Sequence, residues 1–63
     1  MAIVKAELDG KIFEAEYVVD GGVVTVYGER GLESTQLGGM NEEQVARLLL
    51  RALEKKGHID PVE

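Results

Sequence analysis

Cysteine and tryptophan are absent from this 63-residue chain, which holds one proline, one histidine and one phenylalanine. Without thiols there is no disulfide and no thiolate metal site. A single histidine among scattered carboxylates matches neither a zinc-ligand pattern nor the spaced acidic loop of a calcium site. The same scarcity empties the catalytic inventory. Ser34 has no motif around it, and nowhere do a nucleophile, a base and an orienting group occur together. The expectation is a non-enzyme with no cofactor and no metal. No apolar run approaches the ~20 residues of a membrane span, and the opening residues lack the apolar stretch of a signal peptide. A cytoplasmic location and no membrane partner are expected.

Positive charge is also scarce: 7 Lys and Arg face 12 Asp and Glu, for a net charge of -5. General affinity for nucleic acid or anionic lipid depends on releasing counterions onto Lys and Arg, so this balance argues against both. The charge is uneven. Acids dominate before Met40, whereas between positions 44 and 56 Arg47, Arg51, Lys55 and Lys56 face only Glu54. A chain this short buries only about 60% of its unfolded surface, and its core seldom supplies more than about 3–5 kcal/mol. Association with a second copy, as a homodimer, or with another protein is therefore expected. Hydrophobic residues at 44% against 30% charged favour a folded chain over a disordered one.

What the chain does contain is organised around residues 42–56, which read as an amphipathic helix. Asn41 is placed to cap it and Gln44, three residues on, to complete a capping box. Glu42 and Glu43 in the first turn and Lys55 and Lys56 in the last complement the helix dipole, and Gly57 is a natural stop. Helical spacing puts Val45, Leu48, Leu49, Ala52 and Leu53 on one stripe. Leu50 and Ala46 lie off it, so Leu50 either widens the buried face or touches another molecule.

Upstream, residues 3–8 alternate, with Val4, Ala6 and Leu8 on one face. Asp9 and Gly10 then form a hairpin signal, because a type I′ turn needs positive φ at both central residues. A two-residue turn there sets Leu8 opposite Lys11, Ala6 opposite Phe13 and Val4 opposite Ala15, with Lys5 opposite Glu14 on the other face. The hydrophobic sets coincide. A second strand over 11–19 leads through Asp20, Gly21 and Gly22 into a third over 23–28, with Val24 and Val26 on the core face whichever pair makes the turn. Residues 32–37 form either a fourth strand or an extended loop. The predicted architecture is one α+β domain over 1–63: an antiparallel β-meander of three or four strands packed against one C-terminal α-helix. The tail 58–63 follows, with Ile59 able to fold back on the helix end and His58 read as solvated.

Several features carry weak functional readings. Residues 28–31 match a G-x-x-G pattern of the kind that clamps phosphates between helices, but here they follow a strand and read as a turn. Gly38 and Gly39 precede a helix start whose field Glu42 and Glu43 already occupy, so no anion site is expected. Arg47, Arg51 and Lys55 recur every four residues as a basic ridge, the best nucleic-acid signal in the chain. Glu43 and Glu54 stand within pairing reach of that ridge, and no aromatic residue accompanies it for stacking. The outer sheet face is more informative. The register places Ile3, Ile12, Val18, Val23 and Tyr27 there beside carboxylates, a mixture suited to a protein interface. With Leu50 these are the candidate interface residues. The leading expectation is a protein–protein interaction module or homodimeric regulator. The alternatives are a nucleic-acid-binding regulator using the helix ridge and an acidic inhibitor of a basic partner protein.

Overall fold

A computed structural model of the chain describes residues 2–62. Four strands, β1 (Ala2–Leu8), β2 (Lys11–Asp20), β3 (Val23–Tyr27) and β4 (Leu32–Gln36), precede one helix, α1 (Glu42–Lys55). The strands pair in chain order as an antiparallel meander, and the helix packs across one face. The architecture is the α+β fold expected, with residues 32–36 as a true fourth strand. Of the tail expected over 58–63, Glu63 lies outside the described residues.

Turn chemistry sets the register. Asp9 and Gly10 both have positive φ, 54° and 78°, and the hairpin they close pairs Leu8 with Lys11, Ala6 with Phe13 and Val4 with Ala15. At the second turn Asp20 pairs with Val23, so Gly21 and Gly22 are the two central residues. Val24 and Val26 accordingly face inward, where neither has any exposed surface. The third connection, residues 28–31, is longer and closes between Tyr27 and Leu32.

Asn41 caps the helix as expected: its side-chain oxygen accepts from the Glu43 amide at 2.8 Å and the Gln44 amide at 3.4 Å. It ends in a Schellman motif, in which the Gly57 amide donates to the Glu54 carbonyl and the His58 amide to the Leu53 carbonyl, with Gly57 at φ 72°. Its buried arc differs from the one expected. Val45, Ala46, Leu49, Leu50 and Leu53 are buried, whereas Leu48 is 57% exposed. The arc is rotated by about 60° from the expected stripe at ~100° per residue. Two overlapping arcs of this helix are each apolar, and the one that includes Ala46 and Leu50 is seated on the sheet. Leu50, with no exposed surface, is therefore a core residue and not an interface candidate.

The tail folds back past the helix end, in keeping with what was expected of Ile59. Ile59 is 6% exposed and joins the core cluster. The Val62 amide donates to the Ile12 carbonyl at 2.8 Å, so the tail at Val62 is laid against β2.

Leu50→Ala should lower unfolding free energy by about 2–5 kcal/mol, as for a buried large-to-small change. Leu48→Ala should stay within about 0.5 kcal/mol. Urea denaturation of the two variants measures the difference; equal losses would contradict the helix rotation.

Candidate functional site

Strand alternation divides the sheet into two unlike faces. The inner one carries Val4, Phe13, Ala15, Tyr17, Val24 and Val26 beneath the helix. On the outer one, Ile3 pairs with Glu16, Glu16 with Tyr27 and Tyr27 with Leu32, so these four form one row across all four strands. Ile3 is 56% exposed, Tyr27 45% and Leu32 54%. Among the other expected interface residues, Ile12, Val18 and Val23 lie on this face but are only partly exposed. Leu32 was not anticipated there. Its place follows from a four-residue connection closing between Tyr27 and Leu32, a register that the turn residues alone do not specify.

The acids of this face are Glu7, Glu14, Glu16 and Asp20, with Lys5 opposite Glu14. Among the described residues the ion pairs are Arg30 with Asp60, Arg47 with Glu43 and Lys56 with Glu33. Lys5 and Glu14 are register partners without appearing among these pairs. Beside the row lies a cleft of about 470 Å³ with Ile3, Tyr27 and Val62 on its apolar walls. Glu14, Glu16, Glu29 and Asp60 also line it.

Gly28 and Glu29 of the cleft lining belong to the connection 28–31, which does more than turn the chain. The Gly28 amide donates to the Gly31 carbonyl at 2.7 Å, and the Arg30 amide donates to the His58 carbonyl at 2.9 Å. The Arg30 guanidinium donates to both Asp60 carboxylate oxygens, at 2.8 and 3.0 Å, and through Nε to the Gly57 carbonyl at 2.8 Å. Glu29 completes the clamp by accepting from the Asp60 amide at 3.1 Å. The two glycines are needed for close approach: a Cβ on Gly28 would lie 2.7 Å from the His58 carbonyl oxygen, and one on Gly31 would lie 2.6 Å from His58 Nδ1. His58 is thus packed, not solvated, and its Nδ1 is buried with no hydrogen-bond partner. That nitrogen faces the Gly31 backbone.

The basic ridge is exposed, with Arg47 held to Glu43 at 2.8 Å. Arg51 and Lys55 border a second cleft that they share with Glu7, Asp9 and Glu54. Acids therefore interleave the ridge. Among the described residues no three His, Asp or Glu side chains are grouped to hold a metal ion. No helix of the described chain is long and apolar enough to cross a membrane. No protein-family model, curated protein or solved structure matches this chain.

The bidentate bond from Arg30 lowers the Asp60 carboxyl below its ordinary value of 3.8, and the same bond raises the Arg30 guanidinium. A carboxyl that ionises more readily when folded stabilises the fold fully above its unfolded value, and the contribution fades as pH falls through the lower folded value. Acidification below pH 3.8 should accordingly move the Ile59 and Val62 methyl resonances toward random-coil positions before the core unfolds. Arg30→Gln should produce the same movement at neutral pH. Gly31→Ala should cost about 1–3 kcal/mol by overpacking against His58. Unchanged tail resonances in Arg30→Gln would contradict the clamp.

Proposed function

We propose that this chain is a non-catalytic protein-binding module that offers the outer face of its sheet to a partner protein. The observation that carries the reading is the row of Ile3, Tyr27 and Leu32, three large apolar side chains left about half exposed on three different strands. Glu16 stands in that row between Ile3 and Tyr27, and large apolar side chains set among carboxylates are a mixture suited to a protein interface. The carboxylates define the partner's chemistry. Glu7, Glu14, Glu16 and Asp20 outnumber Lys5 on this face, so a protein whose apolar patch is ringed by Lys or Arg is complementary to it.

A homodimer formed face to face would set the same carboxylates against each other, and this disfavours self-association through the row. The helix ridge supports a nucleic-acid reading less well, because Arg47 is already paired and Glu54 stands beside Arg51 and Lys55.

Absolute mass by light scattering after size exclusion, at several loads and two salt concentrations, separates the readings. The expected result is a monomer throughout. A dimer that persists on dilution and in high salt would replace the partner reading with self-association. As bait, the native chain should retain a basic protein from its source cells that Ile3→Lys with Leu32→Lys does not, both chains having the same circular dichroism. Equal capture by both baits would refute the row as the contact. A salt-sensitive shift of DNA or RNA, lost on changing Arg47, Arg51 and Lys55 to Glu, would move the function to the helix.

A further inference from the structure

β2 is longer than the strand beside it. It runs over Lys11–Asp20, whereas β3 covers only Val23–Tyr27, so their ladder stops where Glu16 pairs with Tyr27. Beyond that point the chain leaves through Gly28, and the edge is next engaged where the Val62 amide meets the Ile12 carbonyl. In an antiparallel strand the backbone groups of alternate residues point to the same side. Those of Glu14 therefore point to the same edge as those of Ile12 and Glu16 and lie in the gap between the two closures. The cleft beside the apolar row is this gap seen from the outer face.

Its charge is of one sign. Glu29 and Asp60 are committed to the tail clamp, Glu29 to the Asp60 amide and Asp60 to Arg30. Glu14 and Glu16 belong to none of the ion pairs among the described residues. The carboxylates are spread along the cleft and are not grouped for a metal ion, so a point cation does not match them. A long side chain with an apolar stem and a flat cationic head does. Ile3 and Tyr27 supply the wall for the stem, the Tyr27 ring is a face for the cation, and the Glu14 carbonyl and the Glu14 and Glu16 carboxylates are acceptors. Guanidinium, with five donors in a planar fork, uses several acceptors at once where an ammonium acts as a point charge.

We infer that this cleft is the specificity pocket of the outer face and takes an arginine side chain of the partner protein, flanked in that partner by apolar residues that cover Ile3, Tyr27 and Leu32. The inference rests on the protein-binding reading above and names the partner group that it engages.

The test is titration of the isotopically labelled full chain with acetyl-Leu-Arg-Leu-amide, and with the corresponding Gln and Lys peptides, followed by amide and methyl chemical shifts at two salt concentrations. The Arg peptide should shift Glu14, Glu16, Tyr27 and Gly28 together and bind about tenfold more tightly than the Gln peptide, the difference a hydrogen bond to a charged group supplies. Glu16→Gln, an exposed change that leaves the core untouched, should remove that advantage. Equal binding of the Arg and Gln peptides at Ile3 and Tyr27 would overturn the arginine pocket while leaving the apolar contact face standing. Arg-peptide shifts scattered over Glu7, Asp9 and Asp20 as well would mean charge attraction alone and would also overturn it. The same local shifts on adding calcium chloride would assign the cleft to a metal ion. No shift with any peptide would remove both the pocket and the support it draws from the row.

Discussion

One helix has to cover the inner face of a four-stranded sheet, and the rest of the structure depends on how that contact is made. Leu50 and Leu53 have no exposed surface, and neither do Val24 and Val26 in the same cluster. Each fully buried aliphatic side chain contributes about 1.5–3 kcal/mol by leaving water. With no disulfide in the chain, this cluster supplies most of what holds it folded. Ile59 extends it past the end of the helix, so the Schellman turn at Gly57 is both a stop signal and the means of returning the chain to the core.

The clamp on the tail and the cleft on the outer face have a common origin in unequal strand lengths. Where β3 gives out, the edge of β2 would be left open to water or to another chain, a recognised hazard of sheet edges. The returning tail bonds that edge at Ile12 and is joined to the segment 28–31 by Arg30 and Asp60. They do not fill it. What remains is a cleft with apolar walls and carboxylates, next to the one row of large side chains that the helix leaves uncovered on the other side of the sheet. The contact proposed for this protein is thus a by-product of how the fold closes its own edge.

Much of the fold was legible in order along the chain. The Asp9 and Gly10 turn determined the first register, and that register put Ile3, Ile12 and Val18 on the outer face. Asn41 and Gly57 marked the helix ends because capping is a local affair of a few backbone groups. Less was legible where two apolar solutions competed. Leu48 and Leu50 are chemically identical, and helical periodicity alone favours the stripe that contains Leu48. The candidate site was half visible: Tyr27 and Ile3 follow from alternation, whereas Leu32, Glu29, Asp60 and Val62 enter through a four-residue connection and a tail without periodicity.

By itself, then, the sequence determined three strands and the helix, their order, the register of the first hairpin and the two faces of the sheet, and left residues 32–37 open between strand and loop. These follow from interactions between residues close in the chain, through turn dihedrals, caps and the two-residue alternation of strands. Tertiary structure alone decided which arc of the helix is buried, that His58 packs against Gly31, and that Arg30 reaches Asp60 across 30 positions. Those choices depend on the shape of surfaces that exist only once the sheet has formed. Pattern in the chain states that a side chain is apolar or charged, and packing decides which neighbour it meets.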